Sequence, residues 1–167
     1  MKNKAIFLDR DGTLNSDEGH YYVHRIEDLK LNTGVLAGLK KLFDVGYKLI
    51  VISNQGGISK KEYTTADTDR LHNEINRILS ESGCHIDEFY YCPHHDKVEN
   101  CLCRKPQALM IEKACARYNI DKSQSYMIGD SERDAQAAHL AGIKAIVIPK
   151  NSDFSNASET ILAANKQ

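Results

Sequence analysis

Five short apolar runs separated by amphipathic stretches constrain this chain more than any other feature. Residues 5–8, 48–52, 86–91, 125–128 and 144–148 read as strands. Most of these runs are apolar without alternation, which marks strands covered on both faces. Between them, four sets recur at helical spacing: Val35, Leu39, Leu42 and Phe43; Leu71, Ile75, Ile78 and Leu79; Ile111, Ala114, Cys115 and Tyr118; Ala135, Ala138 and His139. Gly46, Gly83 and Gly142 fall where the first, second and fourth of these helices should end. Pro106 is expected to start the third, and a weak helix over residues 160–164 closes the chain. Strand and helix in alternation predict an α/β fold: a doubly wound, mostly parallel sheet flanked by helices. The 167 residues suit one domain spanning residues 1–167.

Sheets of this kind bind ligands beyond the carboxyl ends of their strands. Asp9, Ser53 and Asp130 each follow a predicted strand, each beside turn-forming residues. The stretch Asp9-Arg10-Asp11-Gly12-Thr13 carries most of the chemistry. Desolvation and mutual repulsion oppose the ionisation of two carboxylates so close to a buried strand, and a bound cation offsets both costs. Gly12 allows a sharp turn, and the amides around it can face a phosphoryl group. Taken singly, Asp9 and Asp11 would pass as an Asx turn, Asp130 as a helix N-cap and Lys105 as a solvated surface lysine. Together they would leave an acidic cluster without purpose.

A second constellation lies in Cys92-Pro93-His94 and Cys101-Leu102-Cys103. Residues two positions apart in extended chain point the same way, so each pair can present two ligands to one tetrahedral Zn²⁺. His95 competes with His94. The polar neighbours Asp96, Lys97, Glu99 and Asn100 argue against a dry core for these cysteines, whereas Cys84 and Cys115 read as core packing. Such a zinc is structural, and it pins a loop that ends in Arg104 and Lys105.

Composition narrows the class. A net charge of −1 and the lack of a basic patch argue against a nucleic-acid partner. No apolar run approaches the roughly 20 residues of a membrane span. The first strand begins too early and is too short for a signal-peptide core, so a cytoplasmic protein with five reduced cysteines is expected. Nothing in the composition calls for a partner chain, and a monomer is expected.

DRDGTL at 9–14, the hydroxyl in VISNQGG at 51–57, the lysine in CRKP at 103–106 and MIGDSERD at 127–134 resemble the four ordered motifs of the haloacid dehalogenase superfamily. The resemblance implies that Asp9 is a nucleophile and Asp11 the general acid and base. It further implies Mg²⁺ held by Asp9, Asp130 and the Asp11 backbone carbonyl, with Asp134 standing behind them. Lys105, Ser53, Asn54 and Gln55 would hold the phosphoryl group. FLDRDGTLN, SNQGGI, YYCPHH and CLCRKP together resemble the branch of heptose-bisphosphate and histidinol-phosphate phosphatases. That branch implies Zn²⁺ on Cys92, His94, Cys101 and Cys103, and substrate contacts at Arg104 and at Asp17, Glu18, Gly19 and His20. Two local features depart from it: only six residues separate His94 from Cys101, and the first loop carries the extra turn Gly19-His20-Tyr21-Tyr22. His20, Tyr21, Tyr22 and His24 read equally as a substrate wall or as an exposed turn.

The intervals after Leu14 and after Ser53 are too short for a cap domain. Arg104, a bidentate anion binder, favours a small phosphorylated sugar with a second phosphate over histidinol phosphate, whose far end is cationic. A non-catalytic phospho-acceptor module remains the alternative from another class, and Asp11 argues against it.

Overall fold

The computed structural model describes residues 2–165. Its strands are β1 (Lys4–Leu8), β2 (Tyr47–Asn54), β3 (Glu88–Cys92), β4 (Tyr126–Gly129) and β5 (Lys144–Val147). Its helices are α1 (Val35–Asp44), α2 (Thr65–Glu81), α3 (Leu109–Arg117), α4 (Glu132–Ala141) and α5 (Ser155–Ala164). The strands form one all-parallel sheet in the order β3-β2-β1-β4-β5.

The two-residue period of the strands divides the core. Ile6 and Leu8 of β1, Leu49 and Val51 of β2 and Ile128 of β4 pack with Leu39, Leu42, Ile75, Leu79 and Ile161, on the face covered by α1, α2 and α5. Ala5, Phe7, Ile50, Ile52 and Met127 face the other way, onto Met110, Ile111 and Ala114 of α3 and Ala137 and Ala138 of α4. β1, β2 and β4 are thus buried on both sides, as their unbroken apolar runs require.

Two expectations need correction. The third helix starts at Leu109, not at Pro106, because the chain first makes a turn from Arg104 to Gln107. The last helix begins at Ser155, not near Thr160. Its polar first turn hides it in the sequence, but buried Phe154, Ala157 and Ile161 dock it on α1. A Cβ on Gly38 of α1 would lie 2.8 Å from the Phe154 ring, so close helix packing uses the glycine there. α2 also starts earlier than its apolar pattern marks, at a capping box in which Thr64 and Asp67 exchange hydrogen bonds.

Candidate active site

β1 lies at the centre of the sheet, and its register sets Leu8 beside Val51 of β2 and Ile128 of β4. The carboxyl ends of these three strands therefore carry Asp9, Ser53 and Asp130 to one rim. After Asp9 the chain folds back sharply, with the N–H groups of Thr13, Leu14 and Asn15 all donating to the Arg10 carbonyl. Gly12 has φ +83°, and a Cβ there would fall 2.2 Å from Asp130 Oδ2. No other residue lets the turn approach the acid so closely.

Lys105 crosses this rim. Its Nζ donates to Asp9 Oδ1 at 2.7 Å, Asp134 Oδ1 at 2.6 Å and the Ile52 carbonyl at 2.7 Å, with the side chain 3% exposed. Burial alone would lower this ammonium's pKa; Asp9 and Asp134 more than offset that and leave it raised. Burial pushes the Asp9 carboxyl up to about 8, with Lys105 pulling down and Asp134 and Asp130 adding repulsion. Asp130 is likewise raised, first by burial and then by Asp134. Asp9, Asp130 and Asp134 can each turn one oxygen into a group within 4.8 Å. Three crowded carboxylates against one ammonium leave negative charge uncompensated, and hard oxygen donors in that number suit Mg²⁺. Asp134 also accepts from the backbone and hydroxyl of Ser131, so it closes the capping box of α4 while it holds Lys105. The residue that caps the helix is Ser131, not Asp130.

Asp9, Asp11, Ser53, Asn54, Lys105 and Asp130 line one cavity of about 380 Å³, together with Ser131, Arg133 and Lys150. Sequence reasoning missed Arg133 and Lys150, since a lone exposed cation carries no pattern. Asn54 does not aim its amide at the cavity centre: its Nδ2 donates to the Lys105 carbonyl at 3.1 Å and its Oδ1 accepts from the Lys105 N–H at 2.9 Å. The expected phosphate ligand thus clamps the backbone of Lys105. Gln55 is buried, with its N–H on the Cys92 carbonyl and its side chain on Asp11, Ser53 and Tyr63. It braces the site from beneath and does not reach the cavity.

The first loop divides. Asp17 is pinned at the cavity mouth, its carboxylate taken by Lys150 at 2.6 Å and Asn151 at 3.0 Å. Glu18 and His20 border a separate recess with Ser16, Asp28 and Lys30, and Gly19 makes the turn between them at φ +79°. Those three residues do not line the cavity that holds Asp9 and Asp11. Tyr22 and His24 pack on Tyr63, whereas Tyr21 is 81% exposed.

The zinc-loop residues converge. Side-chain ligand atoms of Cys92, His94, Cys101 and Cys103 lie within 4.8 Å of one another, with His94 Nδ1 at 3.5 Å from Cys92 Sγ and 3.3 Å from Cys103 Sγ. The competing His95 points elsewhere, its Nδ1 accepting from the Lys97 N–H. Against the upward push of burial, the backbone amides of Arg104 and Cys103 hold the Cys101 thiol down to about 7. Three sulfurs and one imidazole in this closed arrangement fit tetrahedral Zn²⁺. Arg104 follows directly, donating to the His94 carbonyl at 3.0 Å. It faces a recess next to the catalytic cavity, and Lys105 and Arg133 line both. Among the described residues all five cysteines are free thiols, with Cys84 and Cys115 buried in the core as expected.

A HAD-hydrolase-like family model matches residues 102–163. The D-glycero-beta-D-manno-heptose-1,7-bisphosphate 7-phosphatase of Haemophilus ducreyi is 43% identical over 89% of this chain and 84% of its own length. The corresponding alpha-named enzyme of Photorhabdus laumondii is 34% identical over 98% of this chain and 92% of its own. A crystal structure of D,D-heptose 1,7-bisphosphate phosphatase from B. bronchiseptica, complexed with magnesium and phosphate, superposes with a TM-score of 0.85 at 28% identity, covering 96% of this chain and 99% of that one. The fold agrees with these matches, and the chain belongs to the heptose-1,7-bisphosphate 7-phosphatase family of haloacid dehalogenase-like hydrolases.

Proposed function

We propose that this protein is a Mg²⁺-dependent phosphatase that removes the 7-phosphate of D-glycero-D-manno-heptose 1,7-bisphosphate, in the synthesis of heptose precursors for lipopolysaccharide or other surface glycans. The observation that carries the reading is the Asp9–Lys105 pair at the cavity floor, with Asp11 two residues on and Asp130 and Asp134 beside it. The family relatives carry the substrate.

Asp9 attacks phosphorus, and the bond from phosphorus to the sugar oxygen breaks. Asp11 hands its proton to the departing alkoxide, so the sugar leaves as an alcohol and an acyl phosphate remains on Asp9. Asp11 then takes a proton from water as that water attacks the phosphoryl group. Inorganic phosphate departs, and both carboxyl groups are restored. A proton shuttle of this kind contributes typically ~10²–10⁴-fold. Lys105 keeps Asp9 oriented and neutralises charge on the phosphoryl oxygens, and the Ser53 hydroxyl donates to one of them. Asp9, Asp130 and the Asp11 carbonyl would hold Mg²⁺, which when bound draws charge from the phosphoryl oxygens. Cys92, His94, Cys101 and Cys103 would hold Zn²⁺, which stiffens the loop that ends at Arg104 and Lys105. Arg104, in the recess beside the cavity, suits the second phosphate of a bisphosphate. Five free thiols among the described residues suit the reduced cytoplasm.

A panel of phosphate esters tests the assignment. The expected result is the highest kcat/KM with heptose 1,7-bisphosphate, lost with Asp9→Asn. A preference for histidinol phosphate would overturn the substrate, and full activity of Asp9→Asn would overturn the covalent route.

A further inference from the structure

The Asp11 carboxylate is ringed by donors. Arg10 donates from Nε and Nη2 to Oδ1 at 3.1 and 3.0 Å, and from Nη2 to Oδ2 at 2.9 Å. Asn15 Nδ2 donates to Oδ1 at 3.0 Å, and Gln55 Nε2 donates to Oδ2 at 3.0 Å. Arg10 is fixed in place. It is the largest fully buried side chain, it bonds the Val23 carbonyl at 2.6 Å, and it abuts His72 Nε2 at 3.4 Å. Burial, followed by the Arg10 charge, keeps that imidazole neutral by pushing it down to about 3. Asn15 is equally held, with a second bond to the Ser16 carbonyl.

Gln55 is a carboxamide like Asn15, whose two ends exchange with little change of shape, but only Gln55 has a hydroxyl donating to its oxygen. Its Nε2 also donates to Ser53 Oγ at 2.8 Å, and its Oε1 accepts from the Tyr63 hydroxyl at 2.6 Å. The Tyr63 bond fixes which end of the amide meets Asp11. The Tyr63 ring is itself closely packed: it stacks on His24 at 5.0 Å, and a Cβ on Gly57 would lie 2.1 Å from its Cε1.

We propose that Tyr63 is a positioning residue for the reaction: through Gln55, its hydroxyl holds Asp11 Oδ2 in register with Ser53 Oγ, so that the proton donor and the phosphate-binding hydroxyl keep one separation. The inference rests on the phosphatase reading above. It has a signature that a merely structural role lacks. Asp11 is needed to expel an alkoxide but hardly at all to expel a stable phenolate, and kcat/KM reports the steps up to phosphorylation of Asp9, before water attacks.

Tyr63→Phe keeps the ring and removes the hydroxyl. Loss of one hydrogen bond predicts about a tenfold fall in kcat/KM for heptose 1,7-bisphosphate, carried by kcat. For p-nitrophenyl phosphate, kcat/KM is expected to stay within about twofold, since its leaving group takes little help from a proton donor. Gln55→Met, which removes both amide ends at similar length and with them the bond to Ser53 Oγ, is expected to lower kcat/KM for both esters, and further for heptose 1,7-bisphosphate; thermal melts check that both variants fold. Parallel falls with the two esters in Tyr63→Phe, or no fall with either, would overturn the inference. A parent enzyme that cleaves neither ester would instead overturn the phosphatase reading, and the inference with it.

Discussion

Lys105→Met removes the one ammonium that serves two buried carboxylates. In the parent chain Lys105 Nζ lies 2.7 Å from Asp9 Oδ1 and 2.6 Å from Asp134 Oδ1, and the Asp134 side chain is only 1% exposed. Methionine matches the length of the stem, so packing changes little while two carboxylates lose their counter-charge. Breaking a buried pair by removing one partner costs about 3–5 kcal/mol. For a chain of this size that corresponds to a fall in Tm of roughly 6–20 °C, at about 2–4 °C per kcal/mol. The loss has a pH signature. Without Lys105 the Asp9 carboxyl, already raised by burial, loses the charge that pulls it down, and a raised carboxyl costs stability as pH rises through its folded value. The deficit against the parent is therefore expected to be larger at pH 8 than at pH 5. Thermal melts at both pH values in EDTA measure it. Mg²⁺ should recover part of the loss by supplying positive charge, while kcat stays about 10²–10³-fold down for want of a phosphoryl donor. A Tm unchanged by the substitution, or a deficit equal at the two pH values, would refute the pairing.

Three further outcomes follow from the same geometry. Asp9 sits at about 8 in the metal-free protein, above the ordinary 3.8, so its contribution to stability is present at low pH and lost as pH rises toward 8. Mg²⁺ holds the ionised form, so urea unfolding should find it more stabilising at pH 8 than at pH 5; equal effects would contradict the acid cluster as the metal site. Metal analysis should find one zinc per chain, and Cys101→Ser should lower zinc content and Tm together with kcat, whereas unchanged zinc and activity would remove Cys101 from the ligands. Gly57→Ala forces a methyl into the Tyr63 ring and should cost about 1–3 kcal/mol in chemical denaturation, as overpacking does; a neutral substitution would mean the ring is free to move.

The sequence made the sheet legible because burial on both faces leaves no alternative to unbroken apolar runs, as in 48–52 and 125–128. The acids at the strand ends were legible because their chemistry demands carboxylates at fixed spacing, and Cys92, His94, Cys101 and Cys103 because few other tasks need that set. What stayed hidden depends on partners distant in the chain. Asp134 was legible only as a residue behind the metal ligands, and folding sets it against Lys105, 29 residues away. Arg10 carried no pattern of its own, and only the fold encloses it between Val23 and His72. Asn54 and Gln55 read as phosphate ligands, but their amides are spent on the Lys105 backbone and on Asp11. Asp17 reads as a substrate contact, yet Lys150 and Asn151, the latter 134 residues further along, take its oxygens. The start of α5 was obscured for the opposite reason: its first turn is polar, and the apolar contacts that dock it are few and spaced.

The central claim is that Asp9 carries the phosphoryl group. Rapid acid quench of the enzyme turning over heptose 1,7-bisphosphate, followed by borohydride reduction and peptide mass spectrometry, tests it directly, because an acyl phosphate is reduced to the alcohol where a free carboxylate is not. The account predicts conversion of Asp9, and of no other acid, to homoserine in a fraction of chains that depends on substrate and Mg²⁺. Phosphate release at the normal rate with Asp9 unmodified at every quench time, or modification at Asp11 instead, would contradict it.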